Sequence, residues 1–163
     1  MRIAELLAEL EQINRDDIEA AAEFGPLELG PRGIEVRELL CVDRRTRFAP
    51  SPQIREFYAY AAWWRHCSVQ LEWREPSATE VWISRDPVRD MIAADTTPEA
   101  LTAGGLSPSS VALFALDDPN APFERAYFVF GDREEPRVLY AGSEVSIFDD
   151  LAGYLESWIE SLS

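Results

Sequence analysis

The sequence contains no lysine: all 15 basic residues are arginine, set against 30 acidic ones, so the formal charge is −15 at pH 7. No strongly basic face can be built from it, which argues against DNA, RNA or an anionic membrane as partner, since each such contact begins with counterion release from a polyanion. Cysteine is scarce. Cys41 and Cys67 stand far apart with no second Cys near either, which gives neither a redox pair nor a zinc knuckle and predicts two buried thiols. Long apolar runs are missing too: no window approaches the roughly 18 residues of a spanning helix. The amino terminus, Met1-Arg2-Ile3-Ala4-Glu5-Leu6-Leu7-Ala8-Glu9, breaks every apolar run with a charge and offers no signal-peptide cleavage site. A soluble, cytoplasmic protein is expected. Phosphate loops, nucleophile elbows and HExxH are also absent.

What is present suffices for a core. The 163 residues are 47% hydrophobic and 11% aromatic, which fits one globular domain rather than a disordered chain. Ile3, Leu6, Leu7, Leu10 and Ile13 recur at spacings of three and four, the stripe of an amphipathic helix. Asp16 or Asp17 can cap a short second helix running to Phe24, where Gly25-Pro26 stops it. Three Gly and two Pro between Gly25 and Gly33 predict a loop that no regular element crosses. Residues 34–40 alternate too briefly to assign. Ser51-Pro52 marks a helix start, and Ile54, Phe57, Tyr58, Ala61 and Trp64 then repeat at helical spacing, predicting a central packing helix that reaches Trp64.

Further along, Val69, Leu71 and Trp73 alternate with polar residues like a half-buried strand, and Val81 and Ile83 continue in that style after a Pro76-Ser77 turn. Asp86-Pro87 and Thr97-Pro98 each look like a cap followed by Pro at the first turn, so residues 86–103 predict one or two short helices. Val111 to Leu116 is an unbroken apolar run of the length of a buried strand. Tyr127 to Phe130 and Val138 to Tyr140 form a hairpin around Gly131. Ser146, with Asp149 three residues on, resembles a capping box opening a terminal helix with Phe148, Leu151, Leu155, Trp158, Ile159 and Leu162 on its apolar face. The predicted class is α+β: a mainly antiparallel sheet packed against N-terminal, central and C-terminal helices.

Candidate chemistry is thin. His66 is the sole histidine, and neighbouring side chains diverge on a helix or a strand, so His66 and Cys67 make a poor dyad; Cys41 could approach His66 only through the fold. Arg44-Arg45-Thr46-Arg47 is the one basic cluster, and pairing with nearby carboxylates accounts for it. No catalytic, cofactor-binding or metal-binding residue is assigned, and no enzyme activity is expected. The acids Asp117, Asp118, Asp132, Glu134 and Glu135 fall in predicted turns at strand ends, where a rigid sheet would present them. Tyr60 and Trp63, on the far side of the central helix from its core face, could stack on a ligand. Residues 1–82 carry 15 acids and 10 arginines, residues 83–163 carry 15 acids and five, so the negative field is concentrated in the second half. Such a field speeds encounter with a cationic protein.

Two stretches carry a family resemblance. Ser51-Pro52-Gln53-Ile54-Arg55-Glu56-Phe57-Tyr58 with the strand ending at Trp73, and Ala126-Tyr127-Phe128-Val129-Phe130-Gly131-Asp132 with Arg137 to Tyr140 and Ser146 to Leu155, are similar to the SUKH superfamily. They cover about half the chain. One departure is that Trp64-Arg65-His66-Cys67-Ser68 stands where that family commonly has a Gly pair. The resemblance implies a single SUKH-like domain over residues 1–163, with 1–50 as a helical N-terminal extension. It also implies an immunity protein that neutralises a cognate bacterial toxin by direct contact, without transferring any functional residue. A small-molecule or peptide sensing module of the same fold is the alternative.

Overall fold

A computed structural model describes residues 2–68, 71–98 and 106–162. The first helix, α1 (Arg2–Asp16), buries Ile3, Leu7 and Leu10 as its stripe requires. Asp17 then caps α2 (Ile18–Phe24), its carboxylate accepting from Ala20 N at 3.0 Å, and Gly25 ends it with φ 105°, a conformation open to glycine. The Gly/Pro-rich segment is not wholly irregular, because its centre forms a two-residue strand, β1 (Glu28–Leu29). A small separate hairpin follows, β2 (Leu39–Leu40) paired with β3 (Arg47–Phe48).

Ser51 opens α3 (Pro52–Tyr60), its hydroxyl accepting from Ile54 N at 3.3 Å. The predicted continuation to Trp64 does not occur. Ala61 is already extended, and Trp64 belongs to β4 (Trp64–Ser68), which pairs with β1 and with β5 (Leu71–Trp73). The spacing misleads because Trp64 does reach the same core as Ile54, Phe57 and Tyr58, but by a turn of the chain rather than a fourth turn of helix. Val69, expected to open the strand of Trp73, lies outside the described residues.

Val81 and Ile83 are likewise not strand. They lie in and just after α4 (Pro76–Trp82), where Thr79, Trp82 and Ile83 turn inward at helical spacing and Val81 faces solvent. The expected short helix at Asp86-Pro87 is α5 (Asp86–Asp95); a second one after Thr97-Pro98 would fall outside the described residues. The apolar run is β6 (Val111–Leu116), buried throughout, and the hairpin is β7 (Arg125–Val129) with β8 (Arg137–Ala141). The residues read as a capping box instead form an edge strand, β9 (Val145–Phe148). The terminal helix, α6 (Leu151–Leu162), starts later. Asp150 rather than Ser146 serves its first turn, accepting from Gly153 N at 2.9 Å.

The strands β1-β4-β5-β6-β7-β8-β9 form one antiparallel sheet in that order, so the fold is α+β as expected. A bulge in β6 sets Leu113 and Ala115 opposite the consecutive residues Tyr127 and Ala126, so Phe114 and Ala115 both turn to the same side. On that side α1, α3 and α6 pack on Trp73, Phe114 and Phe128, and α1 lies alongside α6, with Arg2 paired to Glu156. The segment before Pro50 thus supplies α1 and β1 to the main core. On the opposite side Val111, Leu113, Leu116, Tyr127 and Leu139 meet Val42, Trp82, Ile83, Val88 and Ile92.

Candidate functional site

The antiparallel topology decides which candidate residues can act together. Asp117 and Asp118 follow β6, whereas Asp132, Glu134 and Glu135 follow β7, so β7 separates the two groups by its own length, roughly 16 Å for five residues. The five acids form two patches, one at each end of the sheet.

At the first end the loop is built by its own carboxylates. Asp117 Oδ1 accepts from the amides of Asp118 (2.7 Å) and Phe123 (3.0 Å), and Asp118 Oδ1 accepts from Asn120 N at 2.9 Å. These Asx contacts hold the backbone while leaving Asp118 exposed. Beside the loop lies an open cleft of about 450 Å³ where Asp117 and Asp118 meet Glu23, Glu72, Arg65 and His66. Arg65 is engaged already, donating to Glu72 at 2.8 Å and to Glu28 at 3.3 Å. Four carboxylates against one arginine leave the cleft strongly negative. Glu23 and Glu72 were not predictable as members, since one sits on α2 and the other on β5; the alternation placing Glu72 on a strand's polar face was the only signal.

The second end is more balanced. Asp132 and Glu135 border a shallow depression of about 320 Å³ together with Arg133 and Arg137. Glu135 also has a structural task, accepting from Gln53 N at 3.2 Å at the start of α3. Gln53 in turn donates to Asp150 Oδ2 and accepts from Ala152 N, each at 3.0 Å, which ties the N-termini of α3 and α6 to the β7–β8 loop.

The two aromatic candidates are held by intramolecular contacts. Tyr60 Oη donates to Glu11 Oε1 at 2.6 Å, its ring stacks on Trp64, and the Arg32 guanidinium lies 4.4 Å above it. Burial works to raise the Glu11 carboxyl, but hydrogen bonds from Tyr60, Arg15 and Arg32 outweigh it and leave it below its ordinary value. Trp63 packs on Gly30, where a Cβ would come within 2.5 Å of the indole nitrogen, and Arg74 lies 5.4 Å from its ring. Gly30 is required by this close approach.

Nucleophilic chemistry finds no geometry. Val42, next to Cys41, donates to Val111 O at the start of β6, while His66 borders the cleft beyond its end, so Cys41 and His66 are separated by a strand of roughly 20 Å. Both thiols are fully or almost fully buried. Burial, with Asp43 adding to it, pushes the Cys41 thiol up to about 11, and burial raises Cys67 well above its ordinary value, so both stay protonated near neutrality. In the basic cluster, Asp43 accepts from the amides of Arg45 and Thr46 at 2.9 Å each, and Arg47 pairs with Glu80 at 3.2 Å. Among the described residues no group of three or more His, Cys, Asp or Glu is placed to hold a metal ion, and no helix is long and apolar enough to cross a membrane.

One buried polar group escaped the sequence reading altogether. Asp95, 3% exposed at the end of α5, takes a bidentate contact from Arg125 (2.9 and 2.6 Å) and a hydrogen bond from Tyr127 Oη at 2.6 Å. Burial and the charge of Asp95 hold the Tyr127 phenol well above its ordinary value. Nothing in the local sequence sets Asp95 apart from other acids on helices; only tertiary structure unites it with the opening residues of β7. Comparison of the chain with protein-family models, with curated proteins and with solved structures finds no match.

Proposed function

We propose that this protein is a non-enzymatic binding protein, of the immunity type that the SUKH resemblance implies, which neutralises a basic bacterial toxin by direct contact in the cytoplasm. The observation that carries the reading is the acidic cleft at the end of β6, where Asp117 and Asp118, on a loop fixed by its own hydrogen bonds, stand with Glu23 of α2 and Glu72 of β5. A toxin that acts on nucleic acid needs a cationic surface, and a preorganised anionic cleft can occupy that surface with electrostatically steered association. The net charge of −15 favours such a partner and disfavours nucleic acid itself. The patch around Asp132 is the weaker candidate, because Arg133 and Arg137 offset its acids.

The test is to look for a toxin gene adjacent to the gene for this chain and to co-express the two, followed by association kinetics across ionic strength. The expected result is rescue of growth, with an association rate that falls as salt rises and that drops in the Asp117→Asn/Asp118→Asn variant, whose amides preserve the loop's Oδ1 acceptors. Failure to protect against the neighbouring toxin refutes the toxin assignment; association insensitive to both salt and this variant refutes the electrostatic account.

A further inference from the structure

The two edges of the sheet are protected very differently. β1 offers only two residues, Glu28 and Leu29, too short to template another strand. β9 offers four, Val145 to Phe148, paired with β8 in an unbroken register, and it closes the strand order, so among the described residues its outer row of backbone N–H and C=O groups has no strand beside it. Natural edges are commonly blunted by Pro, a bulge or a lysine. β9 has none of these.

Its side chains alternate in a way that suits an added strand. Phe148 turns toward α6, its ring 5.6 Å from that of Tyr154, whereas Val145 and Ile147 point to the other face and are 41% and 51% exposed. At the two ends stand exposed acids: Glu144, and Asp149, whose ion-pair contact with Arg133 is a loose 3.6 Å. This charge pattern selects the occupant. A second copy centred on the same strand would set Glu144 of each chain beside Asp149 of the other, and each copy brings a net charge of −15. An extended segment with apolar residues opposite Val145 and Ile147 and basic residues at its two flanks, opposite Glu144 and Asp149, meets the strand favourably.

We infer that β9 is a docking edge for an extended cationic segment of a partner protein, which adds as an eighth strand, gains affinity from backbone hydrogen bonds, and places apolar side chains against Val145 and Ile147 and basic ones against Glu144 and Asp149. The inference rests on the reading of this chain as a binder of basic proteins and names the mode of contact.

The experiment uses the full chain and a synthetic peptide of about ten residues centred on Lys-Thr-Val-Thr-Val-Lys, with the same core flanked by Glu in place of Lys as control, and follows backbone amide exchange at residues 145–148. At a basic-peptide concentration of ten times its dissociation constant, the outward amides of β9 slow by about tenfold, because only about a tenth of the edges remain free. The acidic peptide leaves them unchanged. Val145→Lys/Ile147→Lys, at exposed positions, weakens the basic peptide by about tenfold or more with an unaltered thermal midpoint. Protection only elsewhere in the chain, equal protection by both peptides, or protection that grows with protein concentration alone, which would mark a second copy as the occupant, overturns the inference. The same measurement with the toxin keeps the two readings apart. A toxin that binds while β9 exchanges freely overturns the docking edge alone, and an edge that takes the basic peptide in a chain that binds no toxin overturns the toxin assignment alone.

Discussion

The two faces of the sheet reach a unique packing by different physics. Under α1, α3 and α6 the contacts are aromatic: Phe57, Trp64, Trp73, Phe114 and Tyr154 meet edge-on or tilted with centroids 5.5–6.1 Å apart, and Phe114 stacks on Phe128 at 4.0 Å. Under α4 and α5 the core is mostly aliphatic and smaller, with Trp82 and Tyr127 its two aromatic members, and the docking of α5 is fixed by Asp95 gripping Arg125 and Tyr127. Large rings have few ways to fill a given volume, so shape does most to orient the first face. Aliphatic side chains can repack, so the second face draws its specificity from directional hydrogen bonds.

The comparison breaks most visibly at Trp73. Trp73→Ala empties a buried site and also removes the 3.1 Å bond from Trp73 Nε1 to Tyr154 Oη, so a loss of about 3–5 kcal/mol is expected from urea unfolding. Trp158 sits on the same face but only half-buried, and Trp158→Ala is expected to cost less, about 1–2 kcal/mol. Equal losses at both positions would mean that the first face is not packed as described.

Next in size is the polar grip. Asp95→Ala leaves Arg125 and Tyr127 without their acceptor and is expected to cost about 3 kcal/mol, while Asp95→Leu/Arg125→Met/Tyr127→Phe returns close to wild-type stability. If the triple variant is as unstable as the single one, directional bonding is not what distinguishes this face.

The smallest effect is alkaline. Burial raises the Cys41 thiol from an ordinary value of about 9 to about 11 in the folded chain, so on unfolding the thiol becomes more acidic and the unfolded state sheds its proton first. The associated stability is complete below about pH 9 and is lost as pH rises through 11. Urea midpoints between pH 8 and about 11 fall with this loss, and Cys41→Ala removes its share of the slope, Cys67 and the buried tyrosines Tyr58, Tyr127 and Tyr154 supplying the rest. Cys67, on the aromatic face, is held further up, so alkylation on raising the pH modifies Cys41 first.

Most elements announced themselves where local signals and burial agreed, as with Ser51-Pro52 at α3 and the apolar run of β6. The reading failed where one residue fits two periods. Trp64 satisfied a helical stripe while belonging to a strand, and Val81 with Ile83 satisfied an alternation while belonging to a helix. At 145–150 the strand formers Val-Ser-Ile-Phe outweighed a capping pattern that Asp150 completed two residues further on. The candidate acids were legible as turn residues, but their division between opposite ends of the sheet follows from the antiparallel connection. Their companions Glu23 and Glu72, and the grip of Asp95, come from long-range contacts that no local spacing encodes.

The pairing of α1 with α6 bears on how the chain is made. On the ribosome α1 emerges first and α6 last among these elements, so Ile3, Leu7 and Leu10 stay without part of their cover until the final helix is released. The sheet edge and the apolar stripe of α1 are both open during that interval, when a nascent chain is most prone to misassociation. Folding of the main core therefore waits for synthesis of α6, and a chain stalled before Leu151 presents its quality-control machinery with an uncovered helix.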